Sequence, residues 1–315
     1  MFQGFSDWVT EPVTAEAMDQ DESEGGAERR TRYETFGEAK ERLSWLERLN
    51  IAFVKRTFVV PWLDALLLWF QRVPGVFWVH HCTKHIRHAY GLERLGPMDS
   101  GEAMILVSNH RSFFDMFVVN MVLYKHGFQQ RLLFPVRSNF FYDHPLGFFV
   151  NGIMSWFSMY PPIFRDRKRL MLNHTAFSEL SNALKTGRSC GIHPEGKRKT
   201  DDDPYTLLPA QPGVGRLIHL SRAKVIPIFI NGLGNDLKRQ IGGNFDKTGK
   251  KVIVVFGPPI EFGELLDLPP KASTYRALAD KTVEAITTLG QEERALRAQL
   301  EAFEEPATSE GTAPS

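Results

Sequence analysis

From Leu92 onward, short apolar runs alternate with amphipathic stretches, and this rhythm limits the fold more than any other feature of the chain. Ala103–Ser108, Arg131–Val136, Cys190–His193, Lys224–Ile230 and Lys250–Phe256 read as strands. Phe114–Tyr124, Leu170–Lys185 and Gly213–Ser221 read as helices, with Gly187 closing the second. Parallel strands need crossover connections that lie on the sheet faces. The pattern therefore predicts an α/β fold with a central, mostly parallel or mixed sheet flanked by helices. Residues 271–303 read as a long charged helix at the sheet edge, with Tyr275, Leu278, Val283, Ile286 and Leu289 at helical spacing.

The chain before Leu92 has a different character. Residues 1–33 are largely acidic and polar and are expected to be disordered, as is the tail 304–315. Met1–Thr10 lacks a basic stretch followed by an apolar one, so no secretory signal is expected. Residues 34–90 read as a helical, membrane-associating region. Phe58, Trp62, Leu66, Trp69 and Phe70 fall on one side of a helix, and Pro74-Gly75 breaks it. A second helix over Val76–Tyr90 carries Phe77, Trp78, His81, Lys84, Arg87 and His88. This N-terminal amphipathic helical hairpin, with its Trp residues and flanking cations, suits an interfacial anchor; a core-packing helix pair is the alternative. A spanning helix needs about 20 apolar residues. Phe58–Phe70 is short and interrupted by Pro61 and Asp64, which predicts monotopic or peripheral association.

With a net charge of +1, the chain has no global attraction for polyanions, so no nucleic-acid partner is expected. Cys82 and Cys190 form no disulfide framework, which suits a reducing compartment. The 24 Phe residues suit either a Phe-rich core or contact with acyl chains.

Three stretches carry chemistry. Asn109-His110-Arg111-Ser112-Phe113-Phe114-Asp115 follows a strand and opens a helix. A histidine with a carboxylate five positions on can supply a base near neutral pKa and a group that fixes its tautomer; a structural His beside a helix cap is the bland alternative. His193-Pro194-Glu195-Gly196-Lys197-Arg198-Lys199 follows a strand and crowds cations around a glycine turn, which suits a phosphate or carboxylate as well as it suits a solvated turn. Pro161-Pro162-Ile163-Phe164-Arg165-Asp166-Arg167-Lys168-Arg169 sets a basic cluster after an apolar run, as a polar lipid would require. Gly187-Arg188-Ser189-Cys190-Gly191 matches a hydrolase elbow in letters. A helix precedes it and a strand follows, the reverse of what an elbow needs. His80, His81, Cys82, His85 and His88 offer metal-type donors without an acidic ligand, and no metal site is expected there.

Taken together, these blocks resemble the glycerophospholipid acyltransferase family, which includes 1-acylglycerol-3-phosphate O-acyltransferases. Its Asn-His-x-Ser-x-x-Asp block is matched at every fixed position by residues 109–115, and its Pro-Glu-Gly-x-Arg block by Pro194, Glu195, Gly196 and Arg198. Asp166-Arg167 looks like the end of its second block and Val225-Ile226-Pro227-Ile228 like its fourth, so the resemblance spans roughly 90–262. It implies an α/β acyltransferase domain over 91–303, with His110 as general base and Asp115 as its partner. It also implies that Arg167, Glu195, Gly196 and Arg198 bind the acceptor. The implied activity is transfer of a fatty acyl group from acyl-CoA or acyl carrier protein to a lysophospholipid hydroxyl, 1-acylglycerol-3-phosphate giving phosphatidate. The implied place is the cytoplasmic face of a membrane. No cofactor is implied, since the acyl thioester is a co-substrate.

Two departures stand out. His193 occupies the position where the family commonly has Phe, and Ala210-Gln211-Pro212-Gly213 stands where Phe-Lys-x-Gly is common. The missing Lys removes a phosphate partner and leaves room for another acceptor, such as a lyso-aminolipid. The motif does not identify the oxyanion donors; backbone N–H groups near Arg111 or Ser112 are the expectation. A noncatalytic lipid-binding protein and a serine esterase are the rival readings.

Overall fold

The N-terminal helices start at a capping box in the computed structural model, which describes residues 35–98 and 101–304. Ser44 and Glu47 each accept the other's backbone N–H, fixing the start of α1 (Trp45–Val59). Pro61 opens α2 (Pro61–Phe70) and separates it from α1. The break expected at Pro74-Gly75 does not occur. Gln71–Gly75 form a π-helical turn that runs into α3 (Val76–His81); Pro74 has no N–H to give, and the irregular turn absorbs the loss. The predicted second helix also stops well short of Tyr90, because Arg87–Tyr90 form β1 at the edge of the main sheet. The segments expected to be disordered, 1–33 and the tail after Glu304, lie outside the described residues.

Beyond β1 the chain builds β2 (Met104–Ser108), α4 (Asp115–Lys125), β3 (Val136–Arg137), α5 (Pro145–Ser155), β4 (Pro162–Ile163) and α6 (Leu172–Lys185). It then builds β5 (Cys190–Ile192), α7 (Pro212–Ser221), β6 (Lys224–Asn231), α8 (Leu237–Phe245), β7 (Val252–Phe256) and α9 (Ala272–Glu304). The main sheet has the order β1-β7-β6-β2-β5; its pairs are parallel except β6 with β7. Arg131–Val136 is not the strand predicted from its apolar character. Leu133 makes only an isolated bridge to Cys190, and the extended backbone starts at Val136, where β3 pairs with β4 in a separate small sheet.

Both faces of the main sheet are buried, as a largely parallel sheet requires. Ile105, Val107, Val225, Phe229, Ile253 and Val255 pack in one cluster with residues of α6, α7 and α9. Their alternating neighbours Met104, Leu106, Ile226, Ile228 and Val254 pack with α4 on the other side.

The N-terminal helices are fastened to this body by charge as well as by apolar contact. Asp64, the one acid in α2, meets the fully buried Arg131 and also Arg188, each at 3.0 Å. Arg131 further donates to the carbonyls of Thr57 and Trp156. Glu47 is paired with Arg169 at 2.7 Å, beside β4. One face of the helices stays exposed: Trp62, Leu66, Trp69, Phe77 and Trp78 all face outward. Among the described residues, no helix is long and apolar enough to cross a membrane.

Candidate active site

β2 and β5 are parallel neighbours, with Leu106 beside Gly191 and Val107 beside Ile192. Both end at the same edge, so the loops that follow them, beginning at Asn109 and His193, emerge side by side. The C-terminal edge of a parallel sheet is where such loops build sites. Asn109 does not reach the cavity. Its amide clamps β6 from both sides, accepting the N–H of Ile230 and donating to the Ile230 carbonyl, each at 2.8 Å.

That clamp holds the next residue in place. His110 Nδ1 lies 3.2 Å from Asp115 Oδ2, in the first turn of α4. The same oxygen accepts the backbone N–H groups of Arg111 and Ser112, each at 2.8 Å. Those N–H groups, the expected oxyanion donors, are therefore already used in orienting Asp115. Asp115 Oδ1 is buried without a hydrogen-bond partner among the described residues. With Nδ1 facing the carboxylate, His110 has Nε2 left for a substrate. Burial, reinforced by Arg198 and Arg165, pushes the His110 imidazole well below its ordinary pKa and keeps it neutral. Burial raises the Asp115 carboxyl; His193, the two backbone N–H groups and Arg198 oppose that rise.

The second loop braces the first. Glu195 is 2% exposed, and its two oxygens accept the backbone N–H of His110 at 2.9 Å and of Leu208 at 2.8 Å. Burial raises its pKa against the pull of those N–H groups. Glu195 is thus a tie between the two loops, each of its oxygens accepting one backbone N–H. Gly196 has φ +66, and a Cβ there would stand 2.8 Å from Gln211 Cγ, so the turn needs glycine on both counts. Lys199 closes the arrangement by donating its N–H to the His110 carbonyl at 3.0 Å.

These loops wall a cavity of ≈ 1310 Å³ that extends to β3, β4, α5, α7 and α9. One part of its lining is aromatic, with Phe113, Phe117, Phe134, Phe140 and Phe141. Another is basic, with Arg137, Arg165, Lys197, Arg198 and Arg276. Of the residues singled out from the sequence, His110, Glu195, Gly196 and Arg198 line it, and Asp115 stands behind His110.

Arg167 is the exception. It is exposed and does not line the cavity; Arg165 does. The reason is local. Phe164, just after β4, is fully buried against the cavity, and Arg165 follows it there, donating to the Gly196 carbonyl at 2.9 Å. Asp166 then caps a 3-10 turn by accepting the N–H of Lys168, and none of the residues Asp166, Arg167, Lys168 and Arg169 lines the cavity. Burial, with Arg137 adding, lowers the pKa of Arg165 to about 10. Arg137 and Arg165 both line the cavity and feel each other's charge, and paired guanidinium groups suit an anion.

Gln211 also lines the cavity and donates its N–H to the Pro194 carbonyl at 2.8 Å, so the residue in place of the family's Lys sits at the site. The elbow reading fails on position. Ser189 is fully buried, accepts the Met104 N–H and donates to Gln130, away from the cavity. The one grouping of metal-type donors found among the described residues is His110, Asp115 and His193, whose donor atoms lie within 4.8 Å of one another; the His80–His88 stretch does not converge. A cation on His110 Nδ1 would displace the Asp115 hydrogen bond.

Residues 84–231 match the family model described as Acyltransferase, a span that holds both loops and the strands beneath them. No curated protein matches the sequence. Among solved structures, the 1-acyl-sn-glycerophosphate (LPA) acyltransferase PlsC from Thermotoga maritima is similar. It is 18% identical, covering 81% of this chain and 98% of that one, with a TM-score of 0.46.

Proposed function

We propose that this chain, which carries an acyltransferase domain, moves a fatty acyl group from an acyl thioester to the hydroxyl of a lysophospholipid, with 1-acylglycerol-3-phosphate as the first acceptor to test. The observation that carries this reading is the His110–Asp115 pair set against one cavity that has both aromatic and basic walls. Such a cavity suits a molecule with an apolar chain and an anionic head.

In this reading His110 Nε2 takes the proton of the acceptor hydroxyl as that oxygen attacks the thioester carbonyl. Asp115 holds the tautomer and stabilises the imidazolium, which then protonates the departing thiolate. General base catalysis supplies about 10²- to 10⁴-fold, and holding both substrates in place supplies much of the rest. Arg198 and Arg165 have a second effect. They depress the basicity of His110 while the cavity is empty. A bound phosphate between them would neutralise that influence, so the base strengthens when the acceptor arrives.

The exposed face carrying Trp62, Leu66, Trp69, Phe77 and Trp78 supports peripheral attachment to a membrane, in our reading its cytoplasmic face, where lipid acceptors are held. Acyl-CoA or acyl carrier protein would deliver the donor. A second acceptor class, such as a lyso-aminolipid, is favoured by one observation: Gln211, not a lysine, lines the cavity beside Gly196.

The test is transfer of a labelled acyl group from acyl-CoA and from acyl carrier protein to a panel of lysolipids. Transfer to lysophosphatidate supports the phosphate reading, and transfer to a neutral or zwitterionic acceptor alone moves the assignment to the second class. Absence of transfer with both donors and every acceptor contradicts the function.

A further inference from the structure

The His193 ring lies face to face with that of His110. The ring centroids are 3.9 Å apart and the planes differ by 7°. His193 is itself fastened, its Nδ1 lying 3.0 Å from the Ser108 carbonyl and 3.1 Å from Ser108 Oγ, at the end of β2. Its ring also faces the cavity. Behind it, Gly191 leaves room for Met116 and Phe134, since a Cβ there would stand 1.9 Å from Met116 Cε. One face of the His110 imidazole is thus covered by a second imidazole that is fixed to the sheet.

We propose that His193 is a positioning residue for His110: its anchored ring fixes the plane of the catalytic imidazole and offers a π-face to the imidazolium formed during transfer. The inference rests on the acyl-transfer reading above. A neutral aromatic face attracts a cation lying over it, and more strongly where water is excluded. The charged groups around the pair are Asp115, Arg198 and Arg165. Asp115 meets His110 through its Nδ1, in the ring plane, and the stacked face is left to His193. No proton passes between the two rings, since parallel stacking gives neither nitrogen a lone pair on the other. His110 takes the acceptor's proton and returns it to the thiolate, while His193 stays as it is.

The role has two separable parts, the ring and the anchor. His193→Phe keeps a ring and loses the Ser108 bond; His193→Gln can keep a donor for the Ser108 carbonyl but has no ring. For the full chain, the Gln variant should lose about 5- to 30-fold in kcat, the fold-change that a desolvated cation–π contact implies, with the KM of both substrates little changed. The Phe variant should recover most of that loss. In parallel, the His110 Hε1 resonance at neutral pH should carry a ring-current shift in the wild type and the Phe variant that is absent in the Gln variant. This readout needs no turnover. If the wild type proves inactive on every acceptor, the functional reading fails while the shift still reports on the stack. His193→Leu substitutes for Gln should that variant not fold, judged by its thermal melt. Wild-type kcat in the ringless variant, a Phe variant as impaired as Gln, a loss confined to KM, or an unchanged Hε1 shift in Gln would each overturn the proposal.

Discussion

Glu195 accepts the backbone N–H of His110 at 2.9 Å, so the carboxylate in the second loop sets the height of the histidine in the first. Its other oxygen is taken by Leu208, and the side chain is almost fully buried. In Glu195→Gln one of these two N–H groups would meet an NH₂ instead of an acceptor. Leaving a buried donor unpaired costs about 1–3 kcal/mol. A thermal melt should show that loss, and kcat should fall with it because His110 is no longer held in register. A Gln variant with wild-type melting and turnover would mean that Glu195 ties nothing.

Arg165 and Arg167 should separate cleanly. Arg165 lines the cavity and Arg167 points to solvent. Losing a charge-assisted contact of about 1.5 kcal/mol corresponds to roughly tenfold in affinity. Arg165→Ala should therefore raise the acceptor KM by about tenfold, and Arg167→Ala should leave it near wild type. The opposite ranking in steady-state kinetics would restore the assignment made from the motif.

The pH profile has a definite sign. The Arg198 charge lowers the pKa of His110 and opposes the burial-driven rise of Asp115. Removing it raises both, and protonation of either group disables the base. The acid limb of kcat/KM should thus move to higher pH in Arg198→Gln, while its acceptor KM also rises. A limb that stays in place or moves to lower pH would show that Arg198 does not act on the pair.

Trp62 and Trp69 are 68% and 53% exposed on α2. Burying a large apolar side chain is worth about 1.5–3 kcal/mol, so the double change Trp62→Ser, Trp69→Ser should weaken vesicle binding at least about tenfold. Turnover on a short-chain, water-soluble acceptor should be little affected. Equal vesicle binding by variant and wild type would remove this face from the account.

Much of the fold was legible because β2, β6 and β7 are short apolar runs buried on both faces, and α9 repeats its apolar positions over a long span. β1 was not. Arg87–Tyr90 is a half-buried edge strand that carries basic residues, and its partner β7 lies far along the chain, so nothing local distinguishes it from a helix end. The His110–Asp115 pair could be read from five-residue spacing because a loop and the first turn of a helix bring such positions together. The brace made by Glu195, the stack of His193 on His110 and the exchange of Arg167 for Arg165 could not. Each depends on side chains meeting across loops that are distant in sequence, or on a local turn whose residues leave the cavity.

The most direct test of the central claim is single-turnover acyl transfer by His110→Ala with both substrates saturating, alongside a melt to show that the variant is folded. The account predicts a rate lower by about 10²- to 10⁴-fold, the contribution of a general base, with substrate binding retained. A folded His110→Ala protein that transfers the acyl group at the wild-type rate would contradict it.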